Sequence, residues 1–311
     1  MPGVYQQEYT PSTATAVPSP TPSWRQPAAL RIPPSKTTHL GRLMRLLLHT
    51  PFIALQKIDL NESRKKEEEE KEGYVLTPSS KLLLKEGAEK TMAPVVLFRL
   101  DLTMMKAHHF LSTWLMGEAP SVFETAHGAP FFEFAAGIDP EFGSFFNEVM
   151  ASTAHFTMDM VLSKCGHVFH GLRSLVDVGG GTGAAAVAIA NAFPHMKCSA
   201  VDLPHVVASA PERNNVTMVA ECVKILKRCK EAIPSREEGG KVIALEMVVK
   251  NGGGDYKELE TQLAFDVWMM LISTGKERDE KEWQTIFYDA GFTHCRITPV
   301  CNMRSAIEIY P

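Results

Sequence analysis

The sequence predicts an α/β protein: a Rossmann-like, doubly wound parallel sheet preceded by a smaller helical domain. Three observations predict it. The apolar run Ser174-Leu-Val-Asp-Val178 passes directly into the glycine burst Gly179-Gly-Gly-Thr-Gly183, the pattern of a buried parallel strand ending in a ligand-sized turn. The small-residue stretch 184–192 then supplies a helix and residues 198–202 a second strand, completing a β-α-β unit. Upstream, residues 91–170 carry apolar residues at helical spacing.

Glycine is required in the loop because a ligand must approach the backbone closely and because the turn uses angles a side chain obstructs. Gly179, Gly181 and Gly183 give G-x-G-x-G, the spacing of S-adenosylmethionine sites. Gly179, Gly181 and Ala184 fit the dinucleotide pattern with alanine last equally well. Both cofactors carry a ribose, and Asp202, about 20 residues beyond the loop, is placed to accept hydrogen bonds from its hydroxyls. The competing reading is a plain tight turn with Asp202 capping a helix before Pro204. The loop alone leaves these readings open.

From the N-terminus, residues 1–30 are rich in Ser, Thr and Pro, poor in acids, and lack the apolar stretch of a secretory signal. They read as disordered. In residues 31–90, Ser35 can cap a helix with Leu40, Leu43, Met44, Leu47 and Leu48 on its apolar face. Strand-like pieces at 51–58 and 73–77 flank the charged run 64–72, read as a solvated loop. Helix plus hairpin predicts a winged helix. Lys36, His39, Arg42 and Arg45 share one side of that helix, which raises DNA binding, but the acidic residues 67–70 in the wing would repel phosphate. Within the helical region 91–170, Phe142, Phe146 and Met150 recur at spacing four and share one helix face. Such a stripe is either core or the wall of a ligand pocket.

A chain of 311 residues with 45% hydrophobic content is long enough for two domains with packed cores. A net charge of −4 with both signs interspersed gives no general attraction to nucleic acid or to an anionic membrane. The six cysteines, Cys165, Cys198, Cys222, Cys229, Cys295 and Cys301, form no C-x-x-C pair and read as free thiols of a cytoplasmic protein. Histidines 108, 109, 127, 155, 167 and 170 lack partners at metal-ligand spacing, so no metal site is expected.

The strings Leu175-Val-Asp-Val-Gly-Gly-Gly-Thr-Gly183, Phe193-Pro194 and Val201-Asp-Leu-Pro-His-Val-Val207 closely resemble the plant caffeic-acid and flavonoid type of O-methyltransferase. The likeness continues through Ile225-Leu-Lys-Arg-Cys-Lys-Glu-Ala-Ile233, Gly240-Lys-Val-Ile243, Gly275-Lys-Glu-Arg-Asp-Glu-Lys-Glu-Trp283 and Ala290-Gly-Phe292. Upstream, Pro33-Pro-Ser-Lys36, Tyr74-Val-Leu-Thr-Pro-Ser-Ser80 and Phe145-Phe-Asn-Glu-Val-Met150 are similar to the same family's N-terminal portion. The resemblance implies S-adenosyl-L-methionine as cofactor, held by Gly179, Gly181 and Asp202, and a small phenolic substrate against Phe142, Phe146 and Met150. It also implies a homodimer formed through the winged-helix domain, and no metal. Glu246 and Glu277 match the residues that flank and orient the family's catalytic base.

That base is a His in a His-Asp-Trp motif, and no His-Asp-Trp occurs in this chain. Histidine suits the task because its pKa lies near working pH. The chain passes from 215–220, the third strand, directly to 221–226, the helix beyond the motif, so about 25 residues of family pattern are absent. With them go the adenine-side acidic residue, the fourth strand and the His. The expectation is therefore a methyltransferase domain at 171–311 with an internal deletion at 220/221 and impaired catalysis. The winged-helix domain is also incomplete, because residues 1–30 do not resemble the family's opening helices. The alternatives are a non-catalytic protein that dimerises with intact paralogues, and an NAD-dependent oxidoreductase resting on the glycine loop.

Overall fold

The computed structural model describes residues 33–50, 52–58, 71–84, 91–203, 206, 216–220, 225–250, 255–301 and 303–311. The segment 1–30, the acidic residues 67–70 and Cys222 lie outside them. The chain forms two units, Met1–Leu84 and Lys85–Pro311.

In the first unit a 3-10 turn, Pro34–Lys36, leads into α1 (Thr37–His49). Pro34 pulls Ser35 into that turn, so the N-cap is Lys36, without a side-chain hydrogen bond, and not Ser35. None of the α1 residues is buried, and Leu43 and Leu46 are 51% and 57% exposed. β1 (Ile53–Ile58) and β2 (Lys71–Leu76) pair antiparallel, with Ile53 opposite Leu76 and Ile58 opposite Lys71. Lys71 and Glu72, read from sequence as loop, are thus strand, because pairing with Ile58 and Lys57 extends the ribbon beyond its apolar part. Thr77 caps the short α2 (Pro78–Lys81), its hydroxyl accepting from the Ser80 N–H at 3.3 Å.

The second unit opens with α3 (Ala93–Arg99), α4 (Leu102–His109), α5 (Leu111–Leu115), α6 (Val122–His127) and α7 (Phe131–Glu133). These pack around the first half of α8 (Pro140–Cys165) through an aromatic core of Phe98, Phe123, Phe131 and Phe142. Phe98 and Phe142 stack with ring centroids 5.0 Å apart. α8 begins where it does because Pro140 occupies its first turn and the Asp139 carboxylate accepts from the Phe142 N–H at 3.0 Å.

The strands follow in two groups. β3 (Ser174–Val178), α9 (Ala184–Ala192), β4 (Lys197–Asp202) and β5 (Val216–Ala220) form a parallel sheet of order β3-β4-β5, with Val178 opposite Val201 and Asp202 opposite Ala220. After α10 (Ile225–Ala232), β6 (Val242–Glu246) joins β9 (His294–Cys301) and β10 (Arg304–Tyr310) in an antiparallel sheet of order β6-β10-β9. A short parallel pair, β7 (Val248–Val249) with β8 (Arg278–Asp279), and the helices α11 (Tyr256–Ile272) and α12 (Glu280–Asp289) complete the unit.

Among the described residues the expected doubly wound sheet is two three-stranded sheets, in which β3 pairs only with β4 and β6 only with β10. Both still face one core. Leu175 of β3, Ile243 and Leu245 of β6 and Ala306 of β10 pack with Met158, Val161 and Cys165 of α8 and Ala186 and Ile189 of α9. The described part of the β5-to-β6 connection is α10, whose Leu226 packs on Phe287, Phe292, Ile307 and Ile309 of the antiparallel side. Among the described residues the β3 edge has no neighbouring strand.

Candidate active site

The glycine loop departs from β3 with Gly179, Gly181 and Gly183 at φ of 72°, 58° and 82°, a region side chains rarely occupy. It is tied to β4: Gly179 N–H donates to the Val201 carbonyl at 2.8 Å and Gly181 N–H to Asp202 Oδ2 at 2.8 Å. Asp202 Oδ1 accepts from the Leu203 N–H at 2.7 Å. The structure thus brings together the three sequence-predicted cofactor residues Gly179, Gly181 and Asp202 on one rim, with the acidic side chain held against the loop it was expected to assist.

Sequence reasoning missed Asp177, in β3 directly before the loop. Its Oδ2 is buried without a hydrogen-bond partner, and a Cβ on Gly180 would sit 2.8 Å from that oxygen and 3.0 Å from the Ala200 Cβ. Gly180 is therefore fixed by packing against a carboxylate, a different reason from that of its neighbours. Burial pushes the Asp177 carboxyl up, the Ala186 backbone N–H pulls it down, and the charge of Asp202 pushes it up again. The acid inside the strand pattern was the available signal, since an acidic residue facing a sheet core needs a partner.

Across the loop stands α8. A hollow of about 300 Å³ lies between Thr182 of the loop and Ser144, Asn147, Glu148 and Ala151 of the helix. A smaller one, about 180 Å³, lies among Thr91, Pro94, Leu97, Phe145 and Glu148. The three sequence-predicted substrate residues line neither. Phe142 is 5% exposed inside the aromatic core, Phe146 packs at its margin and Met150 is 47% exposed.

The two predicted glutamates meet in a separate cluster. Glu246 ends β6 opposite Ser305, and Glu277 precedes β8, its backbone N–H donating to Asp266 Oδ1 of α11 at 2.7 Å. Burial raises both carboxyls, while Arg304 and Arg278 draw them down and the Glu246 charge raises Glu277 further. Arg304 lies over the Phe265 ring at 5.6 Å and Arg278 over Trp283 at 5.3 Å, so aromatic faces hold both guanidinium groups beside the acids. Among the described residues no group of His, Cys, Asp and Glu could hold a metal ion.

A sequence model of the O-methyltransferase domain matches residues 108–220 and 217–293. A trans-resveratrol di-O-methyltransferase of Vitis vinifera is 44% identical over 309 residues, covering 91% of this chain and 84% of its own. An 8-hydroxyquercetin 8-O-methyltransferase of Mentha piperita is 40% identical with the same coverage of both chains. The chain belongs to the plant S-adenosylmethionine-dependent O-methyltransferase family. Membership resolves the glycine loop in favour of S-adenosylmethionine over NAD. Solved structures give the fold. A methyltransferase of calicheamicin biosynthesis in its SAH-bound form aligns with a TM-score of 0.69 at 20% identity, covering 91% of this chain and 86% of that one. Human N-acetylserotonin methyltransferase in complex with SAM reaches 0.69 at 12% identity, covering 88% and 83%.

Proposed function

We propose that this chain is built to methylate a hydroxyl of a small plant phenolic, and that as it stands the chemical step is impaired because the segment carrying the base and the fourth strand is missing after Ala220. One observation carries the second half. The O-methyltransferase match falls into two pieces that overlap at residues 217–220, within β5, and β5 and the next strand, β6, belong to different sheets. The names of the relatives, which act on resveratrol and hydroxyquercetin, support the phenolic class.

The residues present fit the cofactor. The open-φ glycine loop lets a ligand lie against backbone N–H groups, and Asp202 stands at its rim. Bound there, S-adenosylmethionine would supply a methyl group on a sulfonium. The chain's own contribution to transfer is to remove the phenolic proton and orient the oxygen, which needs a base near neutral pKa. Glu246 and Glu277 are carboxyls raised by burial and steadied by Arg304, a frame suited to holding a base rather than replacing it.

The half-exposed leucine face of α1, followed by the β1-β2 ribbon, supports a winged helix that associates with a second copy or with an intact paralogue. No helix among the described residues is long and apolar enough to cross a membrane, and the scattered cysteines favour the cytosol.

The test is a radiolabelled methyl-transfer assay with stilbene and flavonol acceptors. It compares the chain as written with a version carrying a full-length relative's segment between Ala220 and Glu221. Absence of a general base alone removes about 100- to 10,000-fold of rate, so turnover is expected only from the repaired chain. Robust turnover by the unrepaired chain would sink the impairment.

A further inference from the structure

Two guanidinium groups meet one face of α11, and among the described residues only one of them has acids acting on it. Phe265 and Trp268 stand three residues apart and so share that face. Arg304, at the start of β10, lies over the Phe265 ring at 5.6 Å and draws down the carboxyls of Glu246 and Glu277. Arg99, the last residue of α3, lies over the Trp268 ring at 4.1 Å and reaches the Phe265 ring at 6.0 Å. Trp268 packs in turn against the aromatic core, which fixes the ring that Arg99 covers.

Among the described residues no carboxylate lies within ion-pair distance of Arg99. The two acids that stand closest to this contact in sequence are engaged: Asp101 accepts from the Thr103 N–H at 2.8 Å and Asp266 from the Glu277 N–H at 2.7 Å. Burial lowers the Arg99 pKa, as for a cation that has lost water without gaining an anion, yet a guanidinium stays charged. Laid over an indole, it uses its face and leaves the N–H fork at its edge, a shape that matches a carboxylate bidentately. Arg99, Phe265 and Trp268 line neither hollow beside α8.

We propose that Arg99 is a specificity-determining residue: stacked on Trp268, it takes the carboxylate of a phenolic acid whose hydroxyl is presented to the Glu246 and Glu277 frame. The inference rests on the phenolic reading above and narrows it to acceptors that carry an anionic group away from the reacting hydroxyl. Phe265, within reach of both guanidinium groups, supplies an aromatic wall between the two ends of such a molecule.

Calorimetric titration of the full chain with 4-hydroxycinnamic acid, its methyl ester and resveratrol tests it without any turnover. The acid and the ester share the phenol and differ in charge. The wild-type chain should bind the acid about tenfold more tightly than the ester, as a charge-assisted contact is worth. Arg99→Met, which keeps an apolar stem over Trp268, should abolish that preference by weakening the acid alone, and the unchanged ester reports that the variant is folded. Arg99→Lys, which keeps the charge without the fork, should retain part of it. Equal wild-type affinity for acid and ester, or resveratrol binding without either, overturns the role of Arg99 while the phenolic reading stands. A preference that persists in Arg99→Met, or an equal loss of both ligands in both variants, overturns it too, because the anion then lies elsewhere or Arg99 is structural only. Binding of none of the three by the wild-type chain overturns the phenolic reading and this inference with it.

Discussion

The parallel and antiparallel halves of the second unit share a core yet finish it differently. β10, the middle strand of the antiparallel sheet, is buried from Ser305 through Ile309, with Ile307 and Ile309 at 0% exposure. β3, which a continuous sheet would place near its centre, alternates half-buried and exposed residues, with Val176 at 59% and Val178 at 42%. Parallel strands are ordinarily covered on both faces. Here α9 covers one face of β3, and the helix that follows β5 packs on the other sheet. Stability is therefore concentrated in the antiparallel half, while the ligand-binding loop hangs from the half that is less completely enclosed.

The sharpest way to break that contrast is a matched pair of truncations. Ile307→Ala should cost about 2–5 kcal/mol, as fully buried aliphatic side chains do, and Val176→Ala no more than about 0.5 kcal/mol, as at exposed positions. Urea denaturation of both variants checks this. Similar losses would mean that β3 is as enclosed as β10.

Within the parallel half, Gly180→Ala should be the most damaging small change. The added methyl group would meet the Asp177 carboxylate and the Ala200 side chain, at about 1–3 kcal/mol for overpacking. A thermal melt reads the stability, and a weaker grip on S-adenosylhomocysteine should accompany it. A neutral result would show that the β3 end yields freely.

Asp177→Asn probes the same place with the opposite sign. Burial raises the native pKa of Asp177 above its ordinary 3.8, so the folded chain holds this proton to higher pH than the unfolded one. The cost of burying the charge is absent below about pH 4 and grows as pH rises through the raised native value. Asn should thus raise Tm near pH 7 by about 2–4 °C for each kcal/mol recovered, with the gain fading toward pH 4. A gain independent of pH would contradict a charged Asp177.

The smallest effect belongs to the surface. Arg228 and Glu231 pair at 2.7 Å with side chains 70% and 61% exposed, so Glu231→Gln should shift stability by less than about 1 kcal/mol and by less still in high salt. A larger loss would place α10 in a more enclosed setting than the antiparallel half provides.

Local pattern carried much of the fold. The helix Ala184–Ala192 and the strand Val242–Glu246 have the bounds the sequence implies, because each is a run of one character punctuated at both ends. The glycine loop and Asp202 were legible for the same reason: their geometry is imposed within a single β-α-β unit. The phenylalanine stripe was less so. Residues four apart advance about 40° around a helix at each step, so a stripe begun by buried Phe142 has turned to the surface by Met150. The union of Glu246 with Glu277 was named only through resemblance, since β6 and the segment before β8 lie far apart in sequence.

The sequence by itself determined the β-α-β unit, the acid at the end of its second strand and the absence of a His-Asp-Trp segment, all of them properties of contiguous residues. Tertiary structure alone decided that, among the described residues, β3-β4-β5 and β6-β10-β9 are separate sheets, that Asp177 lies buried against Gly180, and that Ser144, Asn147 and Glu148 of α8 face Thr182. Each of these depends on which surfaces meet when distant segments exclude water together, and no local periodicity records that choice.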